Sequence, residues 1–132
     1  MVIANITTDT YQSFINDKPY AIILFDAPWD VGPGAMIRPS FEATAVKFAD
    51  RINFGEINVD ESQEIARQVH ILNVPTVAYY KNGQLIKALI GAYQDIEGRL
   101  SALMDGGEIG YDDGYIIKQS KSASWIQKWK SR

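Results

Sequence analysis

The sequence predicts one α/β domain built around a mixed β-sheet. Three observations support this fold class. Helix-like and strand-like apolar patterns alternate along the chain, the apolar run at residues 20–25 is typical of a strand buried on both faces, and Asn82-Gly83 between two strand-like runs indicates a β-hairpin. The chain has 132 residues, of which 46% are hydrophobic and 22% are charged. This composition excludes a disordered chain, a collagen-like repeat and a coiled coil.

Eight elements are expected, in the order α-β-α-β-α-β-β-α. Their approximate ranges are 8–16, 20–25, 37–49, 52–59, 61–69, 76–80, 85–90 and 93–104. The first helix is capped by Thr7 or Thr8, because a hydroxyl there can accept a hydrogen bond from a free N–H of the first turn. The second helix has apolar residues three or four positions apart, with a kink expected at Pro39. Asp60 is expected to cap the third helix.

The last part of the chain differs in character from the rest. Residues 1–107 are expected to form the domain, and residues 108–132 a C-terminal extension with a turn-rich linker and a short basic segment. In that segment Trp125 and Trp129 are one helical turn apart, so they share a helix face. We expect this face to dock on the chain's own domain, on a second copy or on another subunit.

Charge and residue counts exclude several functions. The chain has 13 basic and 16 acidic residues, a net charge of −3, so no nucleic-acid partner is expected. It has no cysteine and one histidine, His70, and therefore no metal site or cofactor is expected. No apolar run approaches the roughly 20 residues of a transmembrane segment. The N-terminal residues lack the basic and apolar regions of a secretory signal, which favours a cytoplasmic location.

Several motifs, at consistent spacing over residues 5–105, resemble those of the thioredoxin family. They are Ala27-Pro28-Trp29, Gly32-Pro33, Met36-Ile37-Arg38-Pro39, Asn58-Val59-Asp60-Glu61, Val74-Pro75-Thr76, Lys81-Asn82-Gly83 and Gly91-Ala92. The resemblance implies a thioredoxin-like fold, with a mixed central sheet of four to five strands flanked by helices and followed by the C-terminal extension. It also implies a cis peptide bond before Pro75.

The residues that carry the family's chemistry are absent. Counted back from Met36, the two cysteine positions of the thioredoxin motif are Val31 and Gly34, and counted forward from Trp29 the first is Asp30, because the loop has one extra residue. Leu24 stands where the resemblance places a buried acid, and Glu56 where it often places a lysine. The family's protein-disulfide reductase activity requires a thiolate. We therefore expect a redox-inactive protein with no catalytic residues.

The resemblance also implies a substrate groove, which does not depend on cysteine. We expect it to bind protein or extended peptide, with the backbone of Val74 pairing to an added strand. The expected groove residues are Trp29, Val31, Gly32, Pro33, Val59, Val74, Pro75 and Ala92. The function expected is therefore a peptide-binding or scaffolding module.

An enzyme or a ligand-binding protein is the alternative, with non-thiol chemistry in the altered loop at residues 30–34. Asp26, Asp30 and Glu56 could act as paired carboxylates under that loop. The sequence shows no basic, histidine or nucleophilic companion for them, and general acid–base catalysis needs one.

Overall fold

The computed structural model describes residues 2–27, 29, 32–71, 73–91, 94–106 and 116–117, with the backbone alone at 33, 34, 116 and 117. The strands in these residues are β1 (Ile3–Asn5), β2 (Tyr20–Asp26), β3 (Asn53–Asn58), β4 (Thr76–Lys81), β5 (Gln84–Ile90) and β6 (Ile116–Ile117). The helices are α1 (Thr8–Asp17), α2 (Pro33–Phe48), α3 (Gln63–Gln68) and α4 (Ile96–Met104). No helix in the described part of the chain is long and apolar enough to cross a membrane.

The strands form one mixed sheet in the order β1-β3-β2-β4-β5-β6. β1, β3 and β2 run parallel, whereas β4, β5 and β6 each pair antiparallel with the strand before them in that order. β1 to β5 confirm the mixed sheet flanked by helices that the sequence predicts. The short β6 adds a strand from the C-terminal region, and neither β6 nor β1 is among the elements predicted from the sequence.

Two apolar cores lie on opposite faces of the sheet. Successive side chains of a strand point to opposite faces, so Ile22 and Leu24 of β2 join one core while Ala21, Ile23 and Phe25 join the other. All five side chains are fully buried. The continuous apolar run of β2 is therefore explained by burial on both faces, as expected.

The starts of α2 and α3 differ from those predicted from the sequence. α2 begins at Pro33 and continues through Pro39, whose missing N–H removes one hydrogen bond of the early helix. α3 begins after Ser62, so the prediction that Asp60 caps it is wrong. The reason is the Asn58 side chain, whose Oδ1 accepts hydrogen bonds from the N–H groups of Asp60 and Glu61 at 2.9 and 3.4 Å and holds both in a turn.

Candidate functional site

Several loops leave the sheet at one edge, which we call the groove end. β2 ends there at Asp26, and β4 begins there, because Thr76 pairs with Phe25. β3 ends at the same edge, since the N–H of Val59 donates a hydrogen bond to the Asp26 carbonyl at 2.9 Å. The register of three neighbouring strands therefore brings together segments that are distant in sequence.

The segment before β4 presents free backbone groups at the groove end. The Val74–Pro75 peptide bond is cis. The Pro75 carbonyl accepts a hydrogen bond from the Gly91 N–H at 3.1 Å, and the Thr76 hydroxyl donates one to the Asn73 carbonyl at 2.7 Å. Within the described residues, the N–H and C=O of Val74 itself form no hydrogen bond. They are free to bond to an external strand.

Trp29 lies in the turn that follows β2, and its side chain is 65% exposed. A tryptophan has a large apolar body and a polar N–H, so it is well suited to contact a partner and costly to leave in water. The loop ends at Gly32, which precedes α2 and has no heavy atom within 4 Å of the position a Cβ would take. Met36, in the first turn of α2, is also exposed. This part of the groove end is open and partly apolar.

The structure brings five of the eight predicted groove residues to the groove end: Trp29, Gly32, Val59, Val74 and Pro75. Pro33 is there as the first residue of α2, with its backbone alone described. Val31 and Ala92 lie outside the described residues, as do Asp30 of the alternative site and the tail residues Trp125 and Trp129. Gly34, the second degenerate cysteine position, has only its backbone described. The roles assigned to these residues stay predictions.

The position of the family's buried acid is apolar in this chain. Leu24 is fully buried and packs in the core that also contains Ile37 and Val77. Across the β2–β3 ladder Leu24 is paired with Glu56. No proton can therefore be exchanged at residue 24.

A network of charges occupies this edge of the sheet. The Nη2 atom of Arg38 lies 2.8 Å from Glu56 Oε2 and 3.7 Å from Asp26 Oδ2, and Nη1 lies 3.9 Å from Glu42 Oε2. Burial alone would lower the pKa of Arg38, but the hydrogen bond to Glu56 and the three carboxylate charges outweigh it, so the pKa lies above its usual value. Arg38 is therefore charged at every physiological pH.

The expectation that Asp26 and Glu56 have no basic companion is wrong, because Arg38 lies against both. The three residues lie on β2, α2 and β3 and meet only through the fold. The available signal was the i,i+4 spacing of Arg38 and Glu42 on a helix, which indicates an ion pair but not its other partners.

A pocket of about 390 Å³ lies beside this network. It is lined by Asn5, Asp26, Ala27, Arg38, Glu56, Ile57, Asn58 and Glu61. This lining includes neither a histidine nor a hydroxyl nucleophile, and Arg38 already holds two of its carboxylates. Among the described residues, no three His, Asp or Glu side chains are arranged to hold a metal ion. The pocket thus offers polar contacts but no evident reactive group.

Comparisons with known proteins agree with this architecture. The family model described as Thioredoxin matches residues 2–104. The thioredoxin of Alicyclobacillus acidocaldarius subsp. acidocaldarius is 37% identical over 94 residues, which cover 71% of this chain and 87% of that protein. The structure of Malassezia sympodialis thioredoxin gives a TM-score of 0.66 at 31% identity, covering 79% of this chain and 89% of that one. For mitochondrial thioredoxin 3 of Saccharomyces cerevisiae the TM-score is 0.62 at 30% identity, covering 79% and 92%. This chain, which has no cysteine, belongs to the thioredoxin family.

Proposed function

We propose that this protein is a redox-inactive member of the family that binds extended segments of other proteins at the groove end. One observation carries the proposal: the exposed Trp29 and the free backbone groups of Val74 lie on loops that leave the sheet at the same edge. An apolar anchor beside an unpaired N–H and C=O is the combination that a peptide adding as a strand requires.

The loss of redox chemistry is supported by the residues at two sites. Thiol–disulfide exchange begins with a thiolate, and none of the 132 residues is cysteine. At the position of the buried acid, Leu24 cannot accept or release a proton. The groove needs neither group, so peptide binding can persist where thiol chemistry is lost.

The expected interaction is reversible and of moderate strength. Without a mixed disulfide to trap the partner, affinity comes from main-chain hydrogen bonds at Val74 and apolar contacts at Trp29 and Val59. We expect a dissociation constant in the micromolar range, equivalent to about 8 kcal/mol.

Peptide capture tests the proposal. The full chain would be used to select extended peptides from a random library, and the selected peptides would be titrated against variants by calorimetry. Trp29→Ala and Val74→Asp should each weaken binding at least tenfold. Val46→Ala serves as the control, because Val46 is an exposed apolar side chain of α2 on a different part of the surface. If the selected peptides bind both groove variants as tightly as the unchanged chain, the groove is not the binding site.

Three further expectations stay predictions. They are the docking of the tail through Trp125 and Trp129, the cytoplasmic location, and the alternative of ligand chemistry at residues 30–34.

A further inference from the structure

We infer that the groove selects basic extended peptides, recognised by carboxylates at the groove end. This inference rests on the proposed function and adds the chemical class of the partner. It follows from how the fold distributes charge between the two ends of the sheet, which the net charge of −3 does not reveal.

Carboxylates dominate the groove end. Asp26 and Glu56 lie at or near the ends of β2 and β3, Asp60 and Glu61 form the turn after β3, and Asp95 caps α4 beyond β5. We call these five residues the acidic rim. Among the described residues, the Arg38 guanidinium pairs with two of these five carboxylates, Asp26 and Glu56. The acidic rim therefore keeps a net negative charge.

The opposite end of the sheet has no such excess of one charge. Lys18 precedes β2, Arg51 precedes β3, and Lys81 ends β4 opposite Tyr20, but the exposed carboxylates of Asp17, Asp50 and Asp105 lie at the same end. Lys47, in the last turn of α2, is paired with Glu97. The molecule is therefore polarised along its strands, with the negative end at the groove. Such a field orients and accelerates the approach of a basic partner and disfavours an acidic one.

The carboxylates of the acidic rim differ in their availability. Asp26 and Glu56 are both paired with Arg38, whose Nη2 atom lies within 4 Å of a carboxylate oxygen of each. Asp60 and Glu61 are exposed, and in the described part of the chain neither forms an ion pair. The Asn58 side chain holds the backbone N–H groups of both residues in a turn, so the two side chains leave the chain next to Val59. These two carboxylates are the ones open to a partner.

The pocket beside the groove suits a long basic side chain. Glu61 and Asn58 form part of its wall, and Asn58 directly precedes the groove residue Val59. The pocket therefore lies beside the groove at the end of β3. A lysine or arginine of a peptide lying in the groove can bury its aliphatic part there and keep its charged group near Glu61.

Arg38 does not make the site attractive to acidic peptides. Three carboxylates lie within 4 Å of its guanidinium, and an acidic side chain would have to displace one of them. It would also approach the unpaired charges of Asp60 and Glu61. An acidic peptide therefore meets net repulsion at this end.

The test uses three matched probes and the full chain. Each probe is a peptide of about ten residues that alternates valine with lysine, glutamine or glutamate, so that the strand-forming face is the same in all three. We expect the lysine probe to bind about tenfold more tightly than the glutamine probe, and the glutamate probe to bind most weakly. Raising the salt from about 0.05 to 0.3 M should weaken the lysine probe about tenfold and leave the glutamine probe nearly unchanged.

Two variants locate the effect. Asp60→Asn combined with Glu61→Gln should reduce the preference for the lysine probe to about threefold or less. Asp50→Asn combined with Asp105→Asn is the matched control, because it also removes two exposed carboxylates, in the turns after α2 and α4 at the opposite end of the sheet. If this control lowers the preference as much as the rim variant does, the net charge of the chain is responsible and the inference is wrong.

The outcomes separate this inference from the proposed function. Equal or tighter binding of the glutamate probe, still lost in Trp29→Ala, overturns the inference and leaves the groove as the binding site. Binding of none of the three probes contradicts both. If the rim variant fails to fold, the salt series with the unchanged chain still tests the preference for basic peptides, and loss of the lysine probe in Trp29→Ala places its binding at the groove.

Discussion

The Nη2 atom of Arg38 lies 2.8 Å from the Oε2 atom of Glu56, and this ion pair joins helix α2 to strand β3. The same guanidinium reaches Asp26 at the end of β2. Arg38 therefore links the two sides of the loop that carries Trp29. The charge network is thus a contact between α2 and the ends of two neighbouring strands.

Arg38 and Glu56 should be energetically coupled. Both side chains are about one-third exposed, so solvent reduces the energy of the pair. We expect Arg38→Ala and Glu56→Ala to give a coupling energy of about 1 kcal/mol in a double-mutant cycle, measured by urea unfolding. Additive effects within about 0.3 kcal/mol would show that the pair contributes nothing. Lys47 and Glu97, a more exposed pair, serve as the control and should give a smaller coupling.

A second coupled pair lies inside the protein, where the hydroxyls of Tyr11 and Tyr80 are 2.8 Å apart and buried. Removing one hydroxyl leaves the other buried without its partner, whereas removing both restores an apolar contact of nearly the same shape. We expect Tyr11→Phe or Tyr80→Phe to cost about 1–2 kcal/mol in urea unfolding, and the double variant to cost less than the sum. A double variant that loses the full sum would contradict this account.

Stability should fall in alkaline solution because of the same pair. Burial raises the pKa of Tyr80 well above the usual value of 10.0, with the charge and hydrogen bond of Tyr11 adding to the effect. Burial also raises the pKa of Tyr11, although its hydrogen bond to Tyr80 acts in the opposite direction. The unfolded tyrosines lose their protons near pH 10 while the folded ones keep them, so stability present below that pH is lost as the pH rises.

The measurement compares urea unfolding at about pH 8 and pH 10.5. Other groups titrate in this range too, and the double variant Tyr11→Phe/Tyr80→Phe removes only the contribution of this pair. Its loss of stability between the two pH values should therefore be smaller than that of the unchanged chain. Equal losses would mean that the pair does not hold its protons more tightly when folded.

His70 should be replaceable with a gain in stability. It follows α3 with φ of 60°, a left-handed conformation that favours glycine, and its N–H donates a hydrogen bond to the Arg67 carbonyl. We expect His70→Gly to stabilise the protein by about 0.5–1 kcal/mol, observed as a higher urea midpoint. His70→Ala, which retains a Cβ, should show no such gain. A gain from alanine would point to the imidazole rather than the backbone.

The sequence predicts elements whose cause is local. The hairpin is an example: β4 ends at Lys81, β5 begins at Gln84, and both Asn82 and Gly83 have positive φ, as the two-residue turn between twisted strands requires. The buried strand β2 is another example. Its five consecutive apolar side chains alternate between the two faces of the sheet, so both faces must be covered to keep them from water.

Features that depend on register could not be predicted in the same way. β1 is three residues long with only Ile3 buried, too short for a pattern, and its partner Phe54 lies about fifty residues away. Arg38 and Glu56 meet because the β2–β3 pairing places Glu56 under α2. The N-cap of α3 is Ser62 rather than Asp60, because the Asn58 side chain accepts hydrogen bonds from the N–H groups of Asp60 and Glu61 and holds them in a turn before the helix.

The C-terminal tail gives the last prediction, and β6 determines how it must be tested. β6 pairs with Ala88 and Leu89, which are fully buried in β5. Removing all of residues 108–132 would therefore remove a strand together with the tail. Substitution of Trp125 and Trp129 in the full chain leaves β6 in place and separates docking from folding.

On the helix that the sequence predicts for the tail, Trp125 and Trp129 share a face, and their docking is expected to bury a few hundred Å². We expect Trp125→Ala/Trp129→Ala to leave the urea midpoint unchanged while shifting the chain to smaller species in sedimentation velocity, or abolishing capture of a second subunit. Ile126→Ala is the control, because the residue after Trp125 is turned about 100° away on a helix and should not contribute to that face. A lower urea midpoint in the tryptophan variant would mean that the tail packs as part of the core, and docking on another chain would then be wrong.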